Sequence, residues 1–523
     1  MNRESVGFVV LLCLGLVAPF TAQAEPLAYP WDSFNIDRRW DALGGSLSQD
    51  SINWHTLTTL QWSGQDTPVQ RATRSVGEVE ITLFDPYFWS SMNSGFPYGG
   101  NDGAAWQGRG VNAGLSGGAA FAYRGFTVTI LPEFWAAENR AFDLMPAAAG
   151  TTEFGYQATG IDQPQRFGDD PLFKASPGQS EIRYTWRRLT VGLGSQSVWF
   201  GPATRNSILL SNNAGGVPRL DVGLLKAPTR IGYFEALAWW GRLQESDYFD
   251  DDSGNDVRLH SGVALSWQAS SDRGPSIGLN RQVLQDWRSP TFYDLVISFN
   301  PSPIDSTFGS DNRDQRVSAT ISWRLPTYGL EVYGEWARND FSAARQLALA
   351  PEHTDGFVLG FRQRFADRAD GTFWSIEAEI FELMQSRTYE INELGRSQSG
   401  FYTNGQVRQG HTHLGQVLGA RSGSGSDNQF IRVARHQRWG TVGWMFERRS
   451  IDKDFIYGAS GRQQGDQERL QIELVTGPDA RVRFGNVSLE AQILWLNRLN
   501  YNYVEQDDRY SVYGSIGVRY GFS

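Results

Sequence analysis

Residues 199–218 form one tract whose side chains suit the binding of a polar ligand. The tract is aromatic, rich in Asn and interrupted by Gly and Pro, and it follows neither a strand nor a helix pattern. Aromatic rings stack on the apolar faces of sugars, while Asn and Arg side chains hydrogen-bond to hydroxyls and carboxylates. This chemistry predicts a carbohydrate-binding loop. The predicted contact residues, two of which lie on the next hydrophobic segment, are Trp199, Arg205, Asn206, Asn212, Asn213, Trp239 and Trp240.

The same residues also have a purely structural interpretation. Under it, Trp199 and Phe200 are aromatic residues at the membrane interface, and Asn212 and Asn213 build turns. For each residue the sequence leaves both interpretations open.

Catalytic and metal-binding patterns are weak. Gly114–Gly118 matches the nucleophile pattern around Ser116, but no helical segment follows, as that motif requires. His411 and His413 have metal-ligand spacing for a strand, yet no third ligand stands nearby, which favours a solvated pair in a long loop. The acidic cluster at 247–256 lacks EF-hand spacing, which favours a solvated acidic loop over a calcium site. We therefore expect no catalytic residue, no metal and no cofactor.

The N-terminus has the pattern of a secretory signal peptide. Arg3 precedes an apolar run from Val6 to Phe20, and Ala22–Ala24 supplies small residues at a cleavage site. Cleavage near Glu25 removes Cys13, the single cysteine of the sequence. We therefore expect an exported protein without disulfides or thiolate metal sites.

Alternating segments predict strands that cross an outer membrane. Apolar side chains alternate with polar or charged ones in residues 257–269, 316–324, 374–380 and 489–495. No long apolar run follows the leader, which excludes a helical membrane protein. A mean hydropathy of −0.40 fits a barrel, because only every second strand residue faces lipid. The 19 Trp, 19 Tyr, 31 Phe and 57 Gly suit aromatic girdles and tight turns.

Long connections alternate with short turns from about residue 301 onward. The long connections are expected at roughly 301–315, 340–355, 384–428, 450–467 and 497–510. The short turns are expected near 326–327, 369–371, 439–440 and 477–479. Outer-membrane barrels have short periplasmic turns and long outer loops. The last strand alternates up to Phe522, as expected of a substrate of the barrel assembly machinery.

The predicted architecture is an all-β, transmembrane antiparallel β-barrel. We expect a signal peptide over 1–24, a periplasmic or plug segment over 25–75, and the barrel over 76–523. Roughly 420 residues at about 23 residues per strand with its connection give about 18 strands. A short helix is expected at 37–43, before two glycines.

The charged residues limit the class of partner. A net charge of −10 argues against nucleic acid. Three basic residues are lysine, so 47 − 3 leaves 44 arginines. Guanidinium forks suit an acidic glycan or the phosphates of lipopolysaccharide, and a genome-level preference for Arg codons is the alternative explanation. Lipopolysaccharide and outer-membrane lipid are the expected surroundings of the barrel.

Three blocks, in order along the chain, resemble the Wzi family of capsule-assembly proteins of bacterial outer membranes. The tract at 199–218 resembles the family's Trp-Gly-Pro…Ser-Asn-Asn-Ala signature. Residues 102–112 form a second, glycine-rich block that leads into a strand. Residues 410–419 resemble the family's Gly-Tyr-Thr-His block, with His411 where an aromatic residue is usual.

The resemblance implies a monomeric barrel of a Gram-negative bacterium, of about 18 strands and occluded inside. It would act as a surface lectin that retains capsular polysaccharide, through many weak contacts along a repeating polymer. Two alternatives stay open: a channel for small or saccharide solutes, and an outer-membrane hydrolase.

Overall fold

Antiparallel strands make up most of the computed structural model of this protein. The structure describes residues 40, 43, 53–55, 73–147, 149–156, 160–270, 274–287, 298, 313–339, 354–366, 371–385, 400–459 and 466–521. The described strands are β1 (Trp54–His55), β2 (Thr73–Val76), β3 (Val79–Asn93), β4 (Gly110–Tyr123), β5 (Phe126–Ile130), β6 (Glu133–Ala137), β7 (Leu172–Ser176), β8 (Glu181–Trp186), β9 (Leu189–Gly194), β10 (Trp199–Phe200), β11 (Arg219–Thr229), β12 (Gly232–Gln244), β13 (Val257–Gln268), β14 (Pro275–Asp286), β15 (Arg313–Leu325), β16 (Leu330–Asn339), β17 (Asp355–Phe365), β18 (Phe373–Glu382), β19 (Thr412–His413), β20 (Gln416–Val417), β21 (Asp427–Gln437), β22 (Gly440–Ser450), β23 (Ile472–Phe484), β24 (Val487–Leu499) and β25 (Arg509–Tyr520).

Helical structure within the described residues is short. Apart from the single residues Trp40, Leu43 and Ser298, it consists of helix α1 (Lys453–Ala459) and the 3-10 turns Pro326–Tyr328, Asp466–Arg469 and Tyr501–Tyr503. None of the helices in these ranges has the length and apolar character needed to cross a membrane.

The sheet closes into a barrel with 18 strand positions, which confirms the predicted fold. β5 and β6 together occupy one position beside β4, and β7 and β8 occupy the next position. β25 pairs with β3 and closes the ring, while the short β2 forms a hairpin with the start of β3. The barrel pairing therefore begins at Thr73.

The two faces of the strands divide as the sequence predicts. In β15, Ile321 and Trp323 are exposed on the outside, whereas Arg316 and Thr320 are buried in the lumen. β13 departs from the prediction near its outer end. There Leu259 and Ser261, expected to face lipid, are buried. The Ser261 hydroxyl lies 2.9 Å from that of Ser298, which covers Ser261 on the outer surface.

The alternation of long and short connections is confirmed, with one error. All short turns lie at one end of the barrel together with the C-terminal end of β25, which is the periplasmic end by the usual orientation. The expected short turn at 477–479 is wrong, because these residues lie inside β23. The turn that follows is at 485–486, between β23 and β24.

The described part of the N-terminal segment lies inside the barrel. Trp40 and Leu43, two residues of the predicted helix, are helical and pack on Phe373. Farther along, the Asn53 amide donates to Asn280 Oδ1 at 2.7 Å and accepts from the Thr320 hydroxyl at 2.7 Å. The rest of that helix, and the predicted signal peptide, lie outside the described residues.

Candidate functional site

The tract at 199–218 folds inward and fills part of the lumen. After β9 the chain enters the barrel, and β10 pairs with β1, placing Trp54 opposite Phe200. The Phe200 ring contacts the inward-facing Trp239, with 5.4 Å between ring centroids. These residues belong to one buried cluster, whose other members include Val198, Leu210, Ala214, Val217, Leu237, Leu243 and Leu284.

Carboxylates on the barrel wall hold the irregular backbone of the tract. Glu379 accepts hydrogen bonds from the backbone N–H of Thr204 at 2.8 Å and of Asn206 at 3.0 Å. Glu335 accepts one from the backbone N–H of Ile208 at 3.0 Å. Buried backbone donors outside regular structure need such acceptors. The acidic side chains that the sequence places on the inward faces of β16 and β18 therefore have a structural role.

Four of the seven predicted carbohydrate contacts are packed inside this plug. The Trp199 indole N–H donates to the Ala203 carbonyl at 3.0 Å. Asn206 and Asn212 are fully buried, and Asn206 Oδ1 accepts from the Ser422 backbone N–H at 3.1 Å. Trp239 is also buried. Their surfaces are taken up by protein, which favours the structural interpretation of these residues.

The other three predicted contacts lie in different places. Trp240 alternates with Trp239 along β12 and therefore faces outward. Arg205 donates to Glu447 Oε2 at 2.7 Å, and its guanidinium lies 4.4 Å from the centre of the Phe430 ring. Asn213 donates to the Val417 carbonyl at 3.0 Å. Arg205 and Asn213 each line a cavity, described below.

A second segment, residues 400–426, completes the plug. The Tyr402 hydroxyl donates to the Ile208 carbonyl at 2.7 Å and accepts from the Ala420 backbone N–H at 2.8 Å. Tyr402 also stacks on His411, with 5.4 Å between ring centroids. This segment and the tract therefore pack against each other in the centre of the barrel.

His411 and His413 are buried, so their prediction as a solvated pair is wrong. His411 Nε2 lies 2.6 Å from the Leu209 carbonyl, and His413 Nδ1 accepts from the Gln244 backbone N–H at 3.1 Å. Burial lowers the pKa of His413 to about 3, and it holds the pKa of His411 well below its usual value. Both rings are thus neutral structural residues. In the described ranges, no three His, Cys, Asp or Glu side chains are grouped to hold a metal ion.

An inner cavity of about 420 Å³ remains on the other side of the lumen. It extends from the underside of the plug, at Arg205, toward the short-turn end of the barrel. Its lining includes the aromatic residues Trp89, Trp135, Phe430 and Tyr513. It also includes the ion pairs Arg432–Asp479 and Arg481–Glu490.

Ser116 lines this inner cavity and does not belong to a nucleophile elbow. It lies in the middle of β4, which continues to Tyr123 with no helix after it. The glycines around it have packing roles. A side chain at Gly114 would meet the Trp89 indole at 2.3 Å, and one at Gly118 would meet the Ile130 carbonyl at 1.8 Å.

An outer cavity of about 190 Å³ lies above the inner one, among the long loops. Its lining includes Tyr98, Trp106, Gln163, Phe167, Asn213, Gln416, Arg421 and Arg449. The Trp106 ring begins a row of aromatic contacts, which we call the aromatic row. Ring centroids are separated by 5.2 Å for Trp106–Phe167, 5.6 Å for Phe167–Tyr248 and 5.7 Å for Phe154–Tyr248.

The sequence does not predict the aromatic row, because its residues come from three separate loops. Trp106 lies in the glycine-rich block at 102–112, and Tyr248 lies in the acidic cluster at 247–256. Phe154 and Phe167 lie between β6 and β7, and Tyr248 lies between β12 and β13. Nothing in the spacing of these residues along the chain indicates that their rings meet.

Many arginines pair with carboxylates inside the lumen. Arg362 contacts Glu331 at 2.7 Å and Glu377 at 3.1 Å, and all three side chains are almost fully buried. Arg183 similarly lies 2.8 Å from both Glu181 and Asp221. Bidentate guanidinium groups suit such crossing contacts between neighbouring strands. These arginines serve the barrel itself, whatever the codon preference of the genome.

The acidic loop between β12 and β13 is solvated, as expected. Asp247, Asp251 and Asp252 are exposed. Asp250 lies 3.4 Å from Arg408, a partly exposed residue of the 400–426 segment.

Comparisons with known proteins identify the fold. No protein-family model and no curated protein matches the sequence. Among solved structures, the chain is similar to Wzi, an outer-membrane protein of Escherichia coli involved in group 1 capsule assembly and described as a carbohydrate-binding β-barrel. The identity is 12%, the TM-score is 0.55, and the match covers 84% of this chain and 85% of that one.

Porins are also similar, at lower TM-scores. OccK1 of Pseudomonas aeruginosa matches with 8% identity and a TM-score of 0.42, covering 85% of this chain and 98% of that one. A BenF-like porin of Pseudomonas fluorescens matches with 9% identity and a TM-score of 0.41, covering 84% and 98% of the two chains. The closed ring of 18 strand positions and the similarity to Wzi show that the chain has the fold of an outer-membrane β-barrel.

Proposed function

We propose that this protein binds and retains capsular or extracellular polysaccharide at the cell surface, as a lectin-like barrel that catalyses no reaction. The observation that carries the proposal is the outer cavity with its aromatic row, which lies at the long-loop end of a barrel whose centre is filled by polypeptide. The long-loop end is the cell-surface end of such barrels.

The outer cavity has the mixed chemistry that saccharides need. Trp106 offers an indole ring for stacking, and this ring packs on Gly108, where an added side chain would meet it at 2.4 Å. Gln163, Asn213 and Gln416 place amide groups in the cavity, and the side-chain oxygen of Gln163 has no hydrogen-bond partner among the described residues. A short subsite of this size suits one or two sugar units of a polymer, and repetition of weak contacts along the polymer provides retention.

Two further observations favour this function over its alternatives. The packed plug of the tract and the 400–426 segment argues against a wide pore. The position of Ser116 inside a continuous strand argues against a serine hydrolase. The likeness to a carbohydrate-binding barrel of the same fold agrees with the proposal, although 12% identity by itself supports the fold alone.

The test is surface retention of polysaccharide by cells that lack the protein. We expect cell-bound polysaccharide to fall and released polysaccharide to rise in the deletion strain, and the wild-type protein to restore retention. Trp106→Ala should restore it poorly. Trp439→Ala is the matched control, because Trp439 lies in the short turn at the opposite end. Equal retention with and without the protein would refute the proposal.

A further inference from the structure

The two cavities are separated by a thin wall. Both are lined by the same five residues, which we call the wall: Gly100, Asp102, Ala105, Gln107 and Arg421. The outer cavity lies on the long-loop side of the wall, and the inner cavity extends from it toward the short-turn end. We propose that the wall is the closed gate of a side passage, through which small polar solutes cross the barrel beside the plug.

The wall is built from side chains and loop backbone, not from the strands of the barrel. Asp102 accepts a hydrogen bond from the Gly100 backbone N–H at 2.6 Å. Gln107 accepts one from the Ser91 hydroxyl at 2.5 Å. Because no barrel strand runs through the wall, it can open without a break in the hydrogen bonds that close the barrel.

Arg421 is the longest side chain of the wall, and it is buried there. Its guanidinium donates to the Tyr98 hydroxyl at 3.2 Å and lies 3.6 Å from Glu447, while its Nε has no hydrogen-bond partner among the described residues. Glu447 has closer partners, namely Arg205 at 2.7 Å and the Asn428 amide at 2.7 Å. Glu447 therefore keeps its charge compensated when Arg421 swings away.

Glycine at the wall allows Arg421 to lie against the backbone. Gly100 has φ +146°, and a side chain there would meet Arg421 Nε at 2.9 Å. The Arg421 side chain thus fills the gap that the missing side chain leaves, and its withdrawal reopens that gap. A long, flexible arginine is suited to this movement, because its guanidinium can relocate without a change in the backbone.

The lining of the passage indicates the class of solute. Below the wall, Arg432 is paired with Asp479 and Arg481 with Glu490, so charges of both signs alternate along the inner cavity. Such a lining offers donors and acceptors without favouring one sign of ion, and selectivity in pores follows from diameter and from these groups. Together with cavity volumes of about 190 and 420 Å³, this points to small neutral or zwitterionic solutes, such as mono- or disaccharides.

Conductance and solute flux test the passage directly. Purified full-length protein is placed in planar bilayers and in liposomes, and liposome swelling is followed with neutral sugars of increasing size. Arg421→Ala should raise both conductance and swelling roughly three-fold or more over wild type, with a cut-off at small sugars. Arg408→Ala is the matched control, because Arg408 is a partly exposed loop arginine away from the wall. Equal flux through folded Arg421→Ala and wild-type protein would overturn the proposal.

A cysteine variant tests whether the ionic current passes through the wall. Ala105→Cys is combined with Arg421→Ala and with Cys13→Ala, which removes the single cysteine of the sequence, and the protein is treated with a bulky thiol reagent. The reagent should block most of the added conductance. Unchanged conductance after labelling would place the current elsewhere and also overturn the proposal.

The passage does not depend on the proposed retention of polysaccharide. Retention is measured in the same variants, so that the failure of either idea leaves the other open.

Discussion

The half of the lumen beside β12–β18 is filled, whereas the half beside β3–β6 and β21–β25 holds the two cavities. The filled half contains the tract that is most conspicuous in the sequence, with its Trp, Asn and Pro residues. The inner cavity of the open half is lined mainly by strand residues, and the outer cavity is lined by loops that include parts of the blocks at 102–112 and 410–419. Conspicuous composition here marks a structural plug, because an irregular backbone inside a barrel needs many specific partners.

The largest expected effect is the loss of Glu379 in the filled half. Glu379→Ala leaves the buried backbone N–H groups of Thr204 and Asn206 without acceptors, at about 1–3 kcal/mol each. We expect a lower unfolding temperature and proteolytic cleavage within the tract, measured on folded barrel in detergent. Glu379→Gln retains an acceptor oxygen and should lose less. If both variants resist protease as wild type does, the tract does not depend on this carboxylate.

Substitution of the adjacent residues Trp239 and Trp240 compares the inward and outward faces of one strand. Trp239→Ala removes a buried ring that packs on Phe200, and we expect a loss of about 3–5 kcal/mol of unfolding free energy. Trp240→Ala removes an outward-facing ring and should cost less than half as much. Denaturant titration of the refolded barrels measures both. Equal losses would contradict the assignment of Trp239 to the plug.

The Arg205→Ala variant tests whether Arg205 stabilises the plug or contacts sugar. Arg205→Ala removes the closer of two guanidinium groups at Glu447, and Arg421 remains 3.6 Å away. We expect a loss of about 2 kcal/mol of stability, less than for a buried charge left alone. Retention of polysaccharide per folded molecule should not change, since Arg205 faces the inner cavity. A loss of retention with unchanged stability would instead identify Arg205 as a sugar contact.

The smallest expected effect is the pH dependence of folding stability that comes from Asp102, in the open half. Burial raises the pKa of the Asp102 carboxyl from 3.8 to about 6. A carboxyl with a raised pKa in the folded state binds its proton more tightly when folded, so its contribution to stability is full below pH 3.8 and is lost as the pH rises to about 6.

The matched variant for this effect is Asp102→Asn, which cannot titrate. Wild-type protein should lose more thermal stability than Asp102→Asn between pH 3.8 and pH 6, and the difference should be constant above that range. Parallel pH profiles of the two proteins would contradict the raised pKa.

Much of the barrel was predictable because strand alternation is a local pattern. The inward and outward faces of β15 and β18 follow from the period of two. The number of strand positions follows from the length of the chain per strand and connection. The error at 477–479 has a specific cause. Pro478 lacks an N–H and usually ends or borders a strand, but here neighbouring residues of β23 pair with both β22 and β24 and carry the strand through.

The candidate site was less predictable, because it depends on contacts between distant segments. His411 was expected in a solvated loop, yet its ring contacts the Leu209 carbonyl, 202 residues earlier in the chain. The aromatic row combines three loops in the same way. Local spacing carries no information on which loops fold into a lumen and which extend from it.

The sequence by itself determined a barrel with a polar inside, an apolar outside and one end of long loops, because side-chain direction along a strand depends only on neighbouring residues. Tertiary structure alone decided that the tract at 199–218 is a plug. That outcome depends on acceptors such as Glu379, which lies 173 residues beyond the Asn206 that it holds. It also decided that the two cavities lie on the opposite side of the lumen.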